Sequence, residues 1–385
     1  MTNANWSYPT AVRFGAGRIK ELKEVCISAG IRRPLFVTDP TLATLPMTRD
    51  ALNLFSSDDC RVTRYADIHS NPKEGDVING VAIYRNHSCD GVIAFGGGSA
   101  MDVAKGIAFM QGQTRPIWDF EDIGDWWTRA DAAAIAPVIA IPTTAGTGSE
   151  VGRAAVVTKE DTLEKKIIFH PKMMPISVIL DAELTRGLPP HLTAGAGMDA
   201  LAHCMEAYCA PTYHPMSAGV ALEGMRLIAN ALPRAVANGA DLEARGDMQV
   251  AATLGAMAFQ KGLGAIHSLS HPVGALYNTH HGTTNGIFMP YVLVFNRSEI
   301  ADKIDPMCDA LGIQRGFDHL LNWTLELRER IGIPHTVAEL GVTVEKLDLI
   351  AERAVADPST GTNPRTLDKE GAKQIFMAAL SGNVA

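Results

Sequence analysis

GVIAFGGGSAMDVAK (residues 91–105) decides how this chain is read. Its opening run is apolar at every position, the pattern of a strand buried on both faces. Gly96, Gly97 and Gly98 close that run, and an amphipathic stretch over 99–111 follows at once. Strand, tight turn and helix are therefore expected in direct succession. Glycines allow close backbone approach, and the unpaired N–H groups of a helix start can receive an anion such as a pyrophosphate. A turn with no ligand has the same pattern, and GGGS is not G-x-G-x-x-G. Ser99, with Asp102 three residues on, resembles a capping box for this helix.

Working outward, LFVTD (35–39), VIAIPTTAG (138–146) and SVILD (177–181) read as further buried strands, with a helical stretch over 75–88. The alternation predicts a parallel α/β layer. PTTAGTGSE (142–150) forms a second ligand-suited turn, with hydroxyls from Thr143, Thr144, Thr147 and Ser149, and bends at Gly146 and Gly148. Two such turns end successive strands, and ligands of open α/β sheets bind outside the carboxyl ends of strands. Asp39 ends another strand. It can accept from adenosine ribose hydroxyls and repel a 2′-phosphate, or it can cap the next turn. This acid precedes the glycine turn, so a standard Rossmann unit is not expected.

After LTRGLPP (184–190) the texture changes to long Ala-, Leu- and Met-rich segments at 194–209, 216–237, 242–262, 316–331 and 344–356. A chain of 385 residues exceeds one ordinary core. Two domains are expected: an α/β dinucleotide-binding domain over 1–186, then an all-helical metal- and substrate-binding domain over 187–385. With 46% hydrophobic and 20% charged residues the composition is that of a globular protein. A net charge of −8 disfavours nucleic acid or an anionic membrane as partner. The six cysteines form no C-x-x-C pair, which fits a reducing compartment. The first twelve residues lack a basic region followed by an apolar run, and no run reaches membrane-spanning length. A cytoplasmic protein is expected.

GMDALAHCMEAY and GLGAIHSLSHPVGALYNTHHG carry the metal chemistry. Asp199 and His203 lie four apart, as do His267 and His271, and residues four apart share a helix face. His280 and His281 follow; neighbouring side chains diverge, so only one of that pair can ligate. A single buried histidine is more often a core residue than a ligand, but here four of twelve histidines fall in one short segment. One carboxylate with imidazoles, and no thiolate, suits a divalent transition metal with a position open to substrate. Pro272 is expected to end or kink its helix at His271, aiming that ring differently from His267 and allowing it a role other than ligand.

Taken in order, GGGSAMDVAK, PTTAGTGSE, the D-x-x-x-H of GMDALAHCMEAY, GLGAIHSLSHP, HHG and GTNPR (361–365) resemble the iron-containing (group III) alcohol dehydrogenases, from SYPTAVRFGAG onward. The resemblance implies a dehydroquinate synthase-like fold, an α/β N-terminal domain plus an all-α C-terminal domain with the active site in the cleft, and a homodimer. It implies Asp199, His203, His267 and His281 as metal ligands and His271 as the histidine facing substrate. It implies nicotinamide-cofactor contacts at Asp39, Asn71, Gly97, Gly98, Ser99, Asp102, Thr143, Thr144, Thr147 and Lys165. NAD is favoured over NADP by Asp39, and Fe2+ is the expected metal, with Zn2+ or another divalent ion as alternatives. The family usually carries Thr after SEV, whereas this chain has Gly152 and Arg153. Arg153 is either a solvated surface residue or a partner for a substrate carboxylate. EVGR, with the histidine segments, looks closest to the 4-hydroxybutyrate dehydrogenase branch. The expected activity interconverts a small primary alcohol, such as an ω-hydroxy acid, and its aldehyde. Dehydrogenation of simple alcohols or diols is the alternative, and metal-dependent hydrolysis a more distant one. WDFEDIGDWW (118–127) either shapes the pocket or packs on the surface.

Overall fold

Seven strands share one sheet in the order β1-β2-β9-β6-β5-β3-β4. The computed structural model describes residues 4–6, 10–55 and 60–384; residues 7–9, which begin the SYPTAVRFGAG stretch, lie outside them. The strands are β1 (Ala4–Trp6), β2 (Ala11–Phe14), β3 (Pro34–Val37), β4 (Thr63–Tyr65), β5 (Gly91–Gly96), β6 (Val138–Pro142), β7 (Ala154–Lys159), β8 (Glu164–Phe169) and β9 (Ser177–Leu180). Neighbouring strands of the sheet are parallel except β1 and β2. Its central strands β3, β5, β6 and β9 are buried at every residue, which is why their sequences are unbroken apolar runs. Helices α1 (Leu22–Ser28), α2 (Pro46–Asn53), α3 (Glu74–Asn86) and α4 (Gly98–Met110) alternate with them.

The chain divides into two compact units, Met1–Thr144 with Ser149–Arg186, and Ala145–Gly148 with Gly187–Ala385. The first holds the sheet and an antiparallel hairpin of β7 and β8. The aromatic segment 118–127 docks on that hairpin. Asp122 N donates to Ile167 O at 2.8 Å, Phe120 is fully buried edge-on to Phe109, and the Trp127 ring lies 5.7 Å from His170.

Ser99 does not cap α4. The helix begins at Gly98 with Gly97 as its N-cap, which puts Ser99 inside the first turn, where its hydroxyl donates to Ser70 O at 2.5 Å. Asp102 turns to the chain after β6, accepting from Ser149 Oγ at 2.6 Å and Val156 N at 2.9 Å. Lys105 completes this group, fully buried, with Nζ 3.0 Å from Ser149 O and 3.5 Å from Asp102. Burial pushes its ammonium below the usual lysine range, against the pull of Asp102.

The second unit is helical: α5 (Pro190–Cys209), α6 (Pro215–Ala237), α7 (Leu242–Ala258), α8 (Ala265–Tyr277), α9 (His281–Asn296), α10 (Ala301–Leu311), α11 (Phe317–Arg330), α12 (Leu347–Ala356) and α13 (Lys369–Ser381). Helix α5 is apolar nearly all round and is buried from Met198 through Cys209, packed among α6, α7 and α9. The expectation that α8 stops at His271 fails, because the helix runs through Pro272 to Tyr277. A proline removes one helical hydrogen bond, but helices in proteins persist mainly through tertiary packing. Ile266, Leu269, Pro272 and Val273 are all buried. Among the described residues no helix is long and apolar enough to cross a membrane.

Asp102→Ala leaves a buried ammonium, a hydroxyl and an N–H without their shared acceptor. Urea unfolding of the α/β unit is expected to show a loss of about 3–5 kcal/mol, the range for removing one partner of a buried ion pair.

Candidate functional site

Three histidine Nε2 atoms converge on one oxygen of Asp199: His281 at 3.5 Å, His267 at 3.7 Å and His203 at 3.8 Å. Asp199 and His203 come from adjacent turns of α5, His267 from the first turn of α8 and His281 from the first residue of α9. Ligand atoms of Asp199, His203 and His267 lie within 4.8 Å of one another, all buried. His281 is the more open member, its side chain 26% exposed. The rings reinforce this arrangement, with His203 and His267 stacked at 4.7 Å and Phe259 edge-on to His203.

Burial and mutual charge perturb the members of this cluster in opposite directions. Burial alone would raise the Asp199 carboxyl, but His203, His281 and His267 together hold it far below the ordinary carboxylate range. Burial pushes His203 down to about 4, overriding the attraction of Asp199. His267 behaves oppositely: burial would lower it, yet Glu206 and Asp199 hold it up at about 10. Ligand atoms bound at about 2.1 Å around a tetrahedral ion stand about 3.4 Å apart, close to the spacings here. A carboxylate with three imidazoles buried together is a fitting donor set for a divalent transition metal.

His271 stands beside this cluster rather than within it. Its ring stacks on His281 at 5.3 Å and 13°, and its Nδ1 lies 2.7 Å from Asp357 Oδ2. Burial would push Asp357 up, but His271 and the Ser359 N–H hold it below the usual range. His280 points away, its ring accepting from Thr283 N as the N-cap of α9.

Most residues of the α/β unit that the sequence suggests for a cofactor lie near strand ends. Gly96 ends β5 with φ of +155°, and a Cβ there would stand 2.6 Å from Ala100 Cβ. Gly97 and Gly98 open α4, and Gly97 faces Thr144, while Thr143 N donates to Gly96 O. Ser99 holds Ser70, next to Asn71, and Pro72 accepts from Thr158 N, so this loop is fixed at both ends. Asp39 Oδ1 accepts from Leu42 N at 2.9 Å, which makes it a turn cap, while Oδ2 faces Gly96. Lys165 lies on β8, paired with Thr158. Thr147 belongs to the helical unit. Arg153 is exposed, its guanidinium 5.6 Å from the Phe169 ring and felt electrostatically by Asp122.

Residues 9–182 match the family described as iron-containing alcohol dehydrogenase, and residues 193–380 match the C-terminal part of the same family. The chain belongs to the iron-containing alcohol dehydrogenase family. It is 38% identical to a 4-hydroxybutyrate dehydrogenase of Cupriavidus necator, over 93% of this chain and 95% of that one. It is 33% identical to an NAD-dependent methanol dehydrogenase of Bacillus methanolicus, over 98% and 100%. The crystal structure of a 1,3-propanediol oxidoreductase superposes with a TM-score of 0.91 at 31% identity, over 96% and 97%. The protein is thus an oxidoreductase of the alcohol dehydrogenase type, with the α/β-plus-helical fold of its family.

Three residues at the histidine cluster of this dehydrogenase escaped the sequence reading. Glu206 Oε2 is 2.5 Å from His267 Nδ1. Asn285 Nδ2 donates to Asp199 at 2.7 Å and lies 3.3 Å from His267 Nε2 and 3.2 Å from His281 Nε2. Asp357 holds His271. Helical spacing gives the first two, since Glu206 follows His203 by three and Asn285 follows His281 by four. Asp357 carries no such signal, being 86 residues from its partner.

Helices α5 and α9 meet at glycine: a Cβ on Gly282 would stand 2.1 Å from Gly195 O. Gly282→Ala is expected to force these helices apart, lowering stability by about 1–3 kcal/mol in urea unfolding. Zinc bound per chain, read by atomic emission after dialysis, should fall with it, because Asp199 and His281 ride on the two helices.

Proposed function

We propose that this dehydrogenase interconverts a small primary alcohol and its aldehyde, with NAD as the hydride carrier and a divalent metal, Fe2+ or Zn2+, held by Asp199, His203, His267 and His281. The observation carrying this reading is the convergence of three Nε2 atoms within 3.8 Å of one buried carboxylate oxygen. When bound, the ion supplies Lewis acidity at the substrate oxygen and the nicotinamide supplies or receives the hydride. The side chains do the rest. Asp357, an acceptor, takes the Nδ1–H of His271, which leaves a lone pair on His271 Nε2 to receive the substrate hydroxyl proton or return it. Gly97, Gly98 and Ser99 present the first N–H groups of α4 to the pyrophosphate. Asn71, Thr143, Thr144, Thr147 and Lys165 add polar contacts, and Asp102 keeps Ser149 and Val156 in place around them. Asp39, at its strand end, disfavours a 2′-phosphate and so favours NAD. The reading is of a cytoplasmic homodimer acting on small molecules.

For the substrate, the 38% identity to a 4-hydroxybutyrate dehydrogenase supports an ω-hydroxy acid, with Arg153 pairing its carboxylate. A second reading, simple alcohols or diols, is favoured by the relatives named for methanol and 1,3-propanediol and by the Asp122 charge already beside Arg153.

Alcohols, hydroxy acids and aldehydes assayed with NAD and NADP on iron- and zinc-loaded protein test the reaction class; the absence of turnover with any of them refutes it. In Arg153→Ala the kcat/KM ratio of 4-hydroxybutyrate to 1-butanol should fall about 10- to 150-fold, the worth of a charge-assisted hydrogen bond. An unchanged ratio supports the second reading. His271→Ala is expected to lower kcat about 10²- to 10⁴-fold, and full turnover across pH removes its proton-transfer role.

A further inference from the structure

The first turn of α8 is capped from outside. Its N-cap, Gly264, has no side chain, and the first two N–H groups find acceptors on distant elements. Ala265 N donates to Asn363 Oδ1 at 3.0 Å, and Ile266 N donates to Glu206 Oε1 at 2.7 Å. Gly264 makes room for both, since a Cβ there would stand 2.7 Å from Asn363 Oδ1 and 3.1 Å from Glu206 Oε1.

Asn363 belongs to GTNPR, a stretch with no ligand in it. Its amide pairs reciprocally with that of Asn296 at the end of α9, at 3.0 and 2.8 Å. Thr362 Oγ1 donates to Leu263 O at 2.8 Å, and Arg365 Nη1 to Phe295 O at 2.9 Å. This loop therefore ties the start of α8, which carries His267, to the end of α9, which begins with His281.

Glu206 is seated against that braced helix end with one oxygen and reaches His267 with the other. A carboxylate only accepts, so Nδ1 of His267 must carry the proton. The Nε2 lone pair is thereby aimed at Asp199 and the metal position. We propose that Glu206 is a positioning residue of the metal centre, fixing His267 in the Nδ1–H tautomer from a seat that Asn363 and Gly264 maintain. This rests on the metal-centre reading given above. Helix capping alone is the competing role, and the two separate cleanly in one substitution. Glu206→Gln keeps an oxygen for Ile266 N but turns an NH2 toward His267 Nδ1. That nitrogen must then accept, the ring proton moves to Nε2, and the lone pair is lost to the metal.

Metal-stripped full-length protein is titrated with Zn2+ against a chromophoric chelator, as wild type, Glu206→Gln and His267→Ala. Glu206→Gln should bind about 10- to 100-fold more weakly, as for other partners of ligating histidines, with an unchanged urea midpoint of the metal-free protein. Affinity within threefold of wild type, while His267→Ala is weakened, overturns the Glu206 role alone. Equal affinity in His267→Ala and wild type overturns the metal-centre reading and this inference with it. Long-range 1H–15N spectra of histidine-labelled, zinc-loaded wild type decide the matter even if the variant does not fold. Protonated Nδ1 and metal-bound Nε2 at His267 support the proposal, and the reverse refutes it.

Discussion

A carboxylate and three imidazoles buried at one point in a helical interior impose the strictest demand on this protein. Charged and polar groups removed from water are costly unless they are paired. Here they meet one another at 3.5–3.8 Å with Asn285 donating among them. The same burial that makes the site costly to assemble makes it selective. His281 stays the more open member, and each side chain is placed by the helix that carries it.

That demand explains the character of the surrounding helices. Four side chains from three helices can converge only if the helix axes come close, and this is why Gly282 faces Gly195 O across α5 and α9. Helix α5 is Ala- and Gly-rich for the same reason: bulky side chains on its flanks would hold α9 away from Asp199. Gly195 and Gly197 cost some helix propensity, and the packing of α5 among α6, α7 and α9 compensates.

What could be read in the sequence follows from how locally it is encoded. The strands β3, β5, β6 and β9 were legible because burial on both faces writes a continuous apolar run. Hairpin β7–β8 was not, because its strands mix buried and partly exposed positions and resemble neither a buried run nor a helix. The clustering of Asp199 and His203 was legible because helices repeat every three to four residues, so the two announce a shared face. The same rule reaches Glu206 and Asn285. The reading that α8 could end at Pro272 misled because it weighed the restriction on the residue before a proline and not the buried face of α8. The capping box at Ser99 misled in a different way: a start one residue earlier, at Gly98, moved Ser99 into the helix and freed Asp102 for Ser149 and Val156 N.

Asp357 and Asn363 mark where sequence reading ends. Each meets its partner on α8 over 86 or more residues, and neither lies on a repeating spacing that would point to the histidines. Ligands sit on helices because a helix face sets their mutual angle. The groups that orient ligands can come from any loop the topology brings near, and here they come from the segment 357–365. Asp357 holds the His271 ring, Thr360 reaches Ser268 Oγ at 2.7 Å, and Asn363 holds the helix end behind His267. Three separate contacts from nine residues on one short face of α8 leave that helix little freedom to rotate or slide. The placement of α8 is thus a property of the C-terminal loop, which touches His271 directly, as much as of the histidine cluster itself.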